Sequence, residues 1–418
     1  MSASPAFDLP LERHQLDNGL RIVLHRDPAL PLVAINLWYH TGSKNERPGK
    51  TGFAHLFEHM LFQGSQNVEA NEHFRLVQSV GGVANGSTWF DRTNYYETLP
   101  AHCLELGLWL EADRMGTLLA AMTEDKLENQ RQVVMNERRQ RVDNQPYGQA
   151  GETLNELLYP EPHPYRWPVI GYMEDIEAAT LDDVRHFFRT YYSPSNAVLT
   201  LAGEFDPAEA LALVRRHFGH LANGSAPPPP LPSGAALSGD RAAVLEDEVQ
   251  LPRVYQAYRI PRFGERQWYV ADLLAQVLAA GKASRLYRDL VYERELAQSV
   301  SCYALPTELE ASFHAVATCR PETDPGELET AIDTHLAAIG RGELEPAEVD
   351  RAKNRTLTSY FSGLQTLDRR ADLFSMFTTF FDRPEAVAEE AQTYRDIELD
   401  ELVSFANEHL RPNDRARV

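Results

Sequence analysis

His55 and His59 stand four residues apart with Glu58 between them, inside the apolar run GFAHLFEHMLF. On a helix, residues at i and i+4 share a face one turn apart, so both imidazoles can reach one ion. They make half of a tetrahedral metal site. Glu58, at i+3 from His55, lies near that face, and its carboxylate can approach a coordinated water without ligating the metal. Zinc would lower the pKa of such a water to about 7, and a general base beside it would complete a hydrolytic nucleophile. A single histidine on an apolar helix reads more simply as a satisfied core residue. Two histidines and a glutamate on such a helix need a partner that meets all three, and a metal does so. The spacing HxxEH thus sets two candidate metal ligands and a candidate base on one helical face.

A catalytic zinc takes three protein ligands and keeps one position for water, so a third ligand must come from elsewhere. Glu137 is the best candidate. It lies in TEDKLENQRQVVMNERRQRVDNQP, a helix that Thr123 would cap and that must end before Pro146. Leu127, Gln130, Val134, Glu137 and Arg141 follow 3, 4, 3, 4 spacing and share a face, so Glu137 points the same way as Val134 and Leu127. A carboxylate on a buried stripe needs a reason. Glu128, Arg138 and Arg139 lie off the stripe and read as a solvated face.

The elements that must hold these groups follow from the pattern around them. Strands are expected around Gly19–His25, Val33–His40 and Gly86–Thr98, and again at Asn196–Gly203. Helices are expected near Gly52–Gln63, His102–Leu119, Thr123–Val142 and Leu181–Thr190. Strands and helices do not alternate strictly, which indicates a largely antiparallel sheet with helices packed on it, an α+β fold. The segment NGSAPPPPLPSGAALSG, residues 223–239, reads as an exposed, semi-extended linker. It separates an expected metal-binding domain, 1–222, from a second domain, 240–418. An ungapped alignment sets Ala54–Gly64 against Ala271–Gly281, with apolar positions and the closing glycine in register, and each follows a β-type run, Val33–Gly42 and Arg253–Ile260. Two copies of one α+β unit are the economical explanation. Asp272, Ala275 and Gln276 replace His55, Glu58 and His59 in the second copy, so it lacks the metal site.

Composition narrows the setting. The 418 residues carry 40 Lys plus Arg against 61 Asp plus Glu, a net charge of −21, so phosphate backbones are repelled and nucleic acid is not an expected partner. No run approaches the ~20 apolar residues that span a bilayer. Cys103, Cys302 and Cys319 are too few and wrongly spaced for a disulfide framework or a zinc ribbon. The opening MSASPAFDLPLERHQL shows no basic region followed by an apolar one, hence no sign of a secretory signal. A soluble chain of the cytoplasm or periplasm is expected.

The sequence resembles the inverzincin metallopeptidases that include pitrilysin, insulin-degrading enzyme and mitochondrial processing peptidase. The resemblance rests on GFAHLFEHMLFQG, on ANGSTWFDRTNYYETLP at Ala84–Pro100, on QRQVVMNERRQRVDNQPYG at Gln130–Gly148 and on HPYRWPVIG at His163–Gly171. In the second half GKASRLYRDLVYERELAQSV, Gly281–Val300, is similar to the corresponding family stretch. The resemblance implies zinc at His55, His59 and Glu137, with Glu58 as general base in a metalloendopeptidase. Several members carry a second glutamate two turns before the distal ligand; here Gln130 stands in that place, as a possible outer partner of the site.

The family also implies that Asn85, Gly86, Ser87 and Thr88 form an exposed edge strand to which a peptide adds as one more strand. Trp89 and Phe90 would shape the neighbouring surface. A chain of this length implies half of a clamshell chamber that admits small or unfolded peptides, so a dimer is expected. Members that cleave peptides commonly carry an arginine and a tyrosine in the second half, and those places fall here on Val291 and Gln298. Arg288, Arg294 or Tyr303 could substitute. The sharper expectation is a heterodimer in which a zinc-free paralogue donates the pair. The competing expectation is a peptide-binding or structural subunit of the same fold, against which the intact His55, Glu58, His59 and Glu137 argue.

Overall fold

The computed structural model describes residues 9–224, 226–232, 237 and 239–418. The first eight residues and part of the expected linker 223–239 lie outside the described residues. Chain contacts group into two compact units. The first takes in the chain to Arg138, Pro168–Leu231 and Gly363–Glu389, and the second takes in Arg139–Trp167, Pro232–Ser362 and Glu390–Val418.

Among the described residues the first unit is built on six strands, β1 (Glu12–Gln15), β2 (Arg21–Arg26), β3 (Leu32–Tyr39), β4 (Val83–Thr88), β5 (Thr93–Pro100) and β6 (Ala197–Gly203). Their order is β1-β2-β6-β3-β5-β4. Only β2 and β6 run parallel; the other neighbours are antiparallel. Val33, Ile35, Leu37 and Tyr39 of β3 point to one face, where they share a core with α1 (Phe53–Met60), α2 (Glu72–Ser79), α3 (Leu104–Ala121) and α4 (Glu124–Arg138). The expected single strand over Gly86–Thr98 is instead a hairpin. Trp89 N–H bonds the Arg92 carbonyl at 2.9 Å and turns β4 back into β5, so β4 is the edge of the sheet.

Among the described residues the second unit begins with α5 (Ala150–Leu158) and has five strands, β7 (Arg241–Ala242), β8 (Arg253–Ile260), β9 (Ala297–Leu305), β10 (Ala311–Cys319) and β11 (Arg415–Arg417), with α6 (Arg266–Ala279) following β8. The order is β7-β11-β8-β10-β9. Only β7 and β11 run parallel. This repeats β2-β6-β3-β5-β4 strand for strand and direction for direction, and α6 follows β8 as α1 follows β3. The duplication legible in the aligned segments is therefore a duplication of topology.

The compact units do not follow the expected boundaries at 222 and 240. Strand β6 is buried along its whole length and β3 from Val33 onward, so the sheet of the first unit needs cover on both faces. The second layer is α7 (Leu367–Phe381), contributed from far along the chain. Its Leu367 and Ala371 pack on Ala34 and Ala202, and Phe374 and Phe380 meet the rings of His25 and Trp38. Polar groups fix its register. Asp372 accepts from Trp38 Nε1 at 3.1 Å, Ser375 Oγ donates to Thr200 Oγ1 at 2.8 Å, and Arg370 reaches Asp27 at 2.6 Å. Conversely α5, from the first half of the sequence, packs on β8 and β11 of the second unit. No described helix is long and apolar enough to cross a membrane.

Candidate metal centre

Helix α1 begins at a forced position. Gly52 and Gly171 both adopt φ near +81°, a conformation in which L side chains are strained. The Glu46 carboxylate accepts from the backbone N–H groups of Gly52 at 2.9 Å and Ala54 at 2.7 Å, and so satisfies donors that the first helical turn leaves open. Phe53, Ala54, Leu56, Phe57 and Met60 are buried, and the Phe57 ring packs against Phe188 and Tyr192. With that stripe inward, His55, Glu58 and His59 emerge together on the other side.

Helix α4 brings the third group. Thr123 caps it, its carbonyl taking the Leu127 N–H at 3.1 Å, and Leu127, Gln130 and Val134 are buried as the spacing predicts. A π turn, Arg139–Asp143, ends the helix before Pro146. Glu137 Oε2 lies 3.3 Å from His59 Nε2 and 3.7 Å from His55 Nε2. One ligand atom from each residue lies within 4.8 Å of the others. Two ligands each about 2.0–2.1 Å from a tetrahedral zinc stand roughly 3.3 Å apart, so the spacing fits that ion. The donor set, two imidazoles and a carboxylate, fits it too.

Two expectations on α4 need correction. Arg138, read as part of a solvated face, is buried, because its Nη1 donates to the Gly171 carbonyl at 2.7 Å and clamps the end of the helix. Arg141 ends the predicted stripe but is exposed, since the backbone has left the α-helical path by then. Gln130 is the position expected to be an outer partner of the site. Its Nε2 donates to Asn129 Oδ1 at 2.8 Å, two turns from Glu137.

Glu58 is held from the sheet edge. Thr88 Oγ1 on β4 donates to Glu58 Oε2 at 2.6 Å. Gly86 lies under the same side chain, where a Cβ would come 3.2 Å from Glu58 Cγ, Glu58 Oε1 and the Phe62 ring. Burial pushes the Glu58 carboxyl above its ordinary range; the Thr88 hydrogen bond, then His59 and Arg92, oppose that, and Glu137 adds to the rise. By strand alternation Asn85 and Ser87 face the other way. Ser87 Oγ donates to Asn94 Oδ1 at 2.7 Å, and Asn85 Oδ1 accepts the Gly86 N–H at 2.9 Å. The structure thus brings Gly86 and Thr88 to Glu58 and leaves Asn85 and Ser87 on the opposite face. Sequence reasoning missed Arg92, whose Nη1 donates to the Ser87 carbonyl at 2.8 Å and braces the hairpin, and missed Glu46. A basic residue in a tight turn and an acid shortly before a helix were the available signals.

Among the described residues one further histidine and carboxylate grouping occurs, His73, Glu97 and Glu111. It is fully buried, with His73 Nε2 3.5 Å from Glu97 Oε2. Arg114 forms two hydrogen bonds to Glu111, one from Nε at 2.9 Å, and supplies the cation there itself. Burial raises Glu97 to about 7 and lowers His73 to about 3. In the second unit Asp272, aligned with His55, accepts from Tyr394 Oη at 2.8 Å, and Ala275 and Gln276 complete the loss of the ligand set. Arg294 is engaged by Asp289 and Glu327, and Tyr303 stacks on His314 with ring centroids 4.9 Å apart.

Comparison with known proteins identifies the family. The pattern of Insulinase (Peptidase family M16) matches residues 21–161, and that of the Peptidase M16 inactive domain matches residues 178–356. Zinc protease PqqE of Helicobacter pylori is 32% identical over 415 residues, 98% of this chain and 93% of that relative. An uncharacterized zinc protease of Mycobacterium leprae is 30% identical over 356 residues, 84% of this chain and 79% of its own length. The crystal structure of a protease from Helicobacter pylori superposes with a TM-score of 0.93 at 32% identity, over 98% of both chains. The periplasmic protease PqqL of Escherichia coli, at 20% identity, shares the fold with a TM-score of 0.78, over the whole of this chain and 48% of that one. The chain with His55, Glu58, His59 and Glu137 on one patch belongs to peptidase family M16, the insulinase family.

Proposed function

We propose that the chain is a zinc-dependent endopeptidase that hydrolyses small or unfolded peptides laid along β4. The observation that carries this reading is the convergence of His55, His59 and Glu137 from two helices on a single point, with Glu58 beside them but turned to β4. Zinc held by those three residues supplies Lewis-acid activation of water and of the scissile carbonyl. Glu58 takes the proton from the attacking water and delivers it to the leaving amine nitrogen. Strand β4 has β5 as its only strand partner among the described residues, and a peptide added there pairs by backbone hydrogen bonds. Family membership and the zinc-protease names of the relatives support the same chemistry.

We further propose that the active species is a dimer. With Val291 and Gln298 at the places where the family resemblance implies an arginine and a tyrosine, a zinc-free paralogue is the partner we propose to complete the site. The test is metal analysis of the purified chain together with cleavage of an unstructured peptide, with and without such a paralogue. Glu58→Gln is expected to keep zinc and lose turnover, and His55→Ala to lose both. Undiminished cleavage by Glu58→Gln would overturn the reading, and full activity of a homodimer would reject the donated pair. A chain that binds zinc and peptide yet never cleaves would instead be a binding subunit.

A further inference from the structure

We infer that Thr88 is a positioning residue that keeps Glu58 a base by holding it out of the metal's coordination sphere. The inference rests on the zinc-peptidase reading above and concerns how that site stays open. A carboxylate on the helix turn that carries two candidate zinc ligands, with a second carboxylate, Glu137, alongside, is itself a natural zinc ligand. If Glu58 closed the fourth position, water would have no place and no base would remain.

The chain opposes that collapse from β4. The Thr88 hydroxyl holds Glu58 Oε2 at 2.6 Å, a hydrogen bond to a charged acceptor and therefore one of the stronger kind. Oε1 lies over Gly86, where the missing side chain leaves the space that this pose requires. Thr88 is itself fixed, since β4 is paired along its length with β5, Thr88 facing Thr93 in the register. One oxygen of Glu58 is thus committed to the strand and the other is left for proton transfer. The strand proposed to receive substrate is also the strand that holds the base, so the hydroxyl of Thr88 serves Glu58 rather than a substrate side chain.

Thr88→Val keeps the shape and removes the donor. The expected result is a kcat lower by about 10- to 100-fold with KM within about twofold of wild type. The distinguishing readout is the metal. Zinc should bind at least as tightly as in wild type, and the absorption spectrum of the cobalt-substituted protein should change as a fourth protein ligand enters. Thr88→Ser, which keeps the hydroxyl, should restore kcat and the wild-type cobalt spectrum. Gly86→Ala leaves Thr88 intact but crowds Glu58, and it should give the same split between turnover and metal binding if Thr88→Val does not fold. Wild-type kcat in Thr88→Val, or a fall in kcat matched by weaker metal binding and an unchanged cobalt spectrum, would overturn the inference. A wild-type chain that neither holds zinc nor cleaves peptide would instead sink the functional reading itself.

Discussion

Gly52 and Gly171 meet with no room for a side chain between them. A Cβ on Gly52 would fall 2.9 Å from Gly171 Cα and 2.6 Å from the Ile170 carbonyl oxygen. Both residues have positive φ, and the Gly171 carbonyl also receives Arg138 from the end of α4. The contact therefore ties the start of the helix bearing His55 and His59 to the end of the helix bearing Glu137. Gly171→Ala should cost about 1–3 kcal/mol of stability through overpacking and should lower zinc occupancy with it. Urea denaturation and metal analysis of the same preparation check both; unchanged occupancy at lowered stability would uncouple the contact from the site.

The buried pair His73 and Glu97 gives stability a defined pH dependence. Glu97 holds its proton up to about 7 in the folded chain against 4.5 for an ordinary glutamate. Between those values the unfolded chain binds fewer protons at this position, so the Glu97 contribution falls as pH rises through the window. His73, lowered to about 3 from 6.5, acts in the opposite sense, and its contribution is gained as pH rises from about 3 to 6.5. Glu97→Gln removes the first effect alone. Relative to wild type it should gain stability from pH 5 to pH 8, by at most about 3 kcal/mol. Parallel urea melts at the two pH values measure the difference, and a difference independent of pH would show that Glu97 is already ionised in the fold.

The proposed pairing of substrate along β4 predicts sensitivity to the substrate backbone rather than to its sequence alone. Peptides N-methylated at alternate residues lose donors to the strand in one register and keep them in the other. One register should raise KM by about tenfold for each hydrogen bond lost, and the other should leave it nearly unchanged. Steady-state kinetics on the two methylated series decides it. Equal KM for both would remove β4 as the docking strand.

Much of the site was legible because helical periodicity is local. His55, Glu58 and His59 needed one turn of helix, and Glu137 needed the Leu127, Val134 stripe. The burial of Arg138 was not legible, since its acceptor is the Gly171 carbonyl, supplied by a loop after the chain has visited the second unit. The β4–β5 hairpin was read as one strand because its turn, Trp89-Phe90-Asp91-Arg92, has none of the glycine, asparagine or proline that marks tight turns, while Gly86 sits inside a strand for the sake of Glu58. The compact units differ from the expected domains 1–222 and 240–418 for a tertiary reason. The buried stretch VAINLWY of β3 announces that both faces are covered, but nothing nearby in the chain says that α7 does the covering.

That cover has a practical consequence. A gene truncated after residue 222 would encode His55, Glu58, His59 and Glu137, yet it would omit Leu367, Ala371, Phe374 and Phe380, exposing Ala34, Trp38 and Ala202 to solvent. The fragment should be sticky and prone to aggregate. Supplying residues 363–389 as a separate polypeptide is the natural rescue, which makes this chain a candidate for split-protein complementation, with recovered solubility as its reporter.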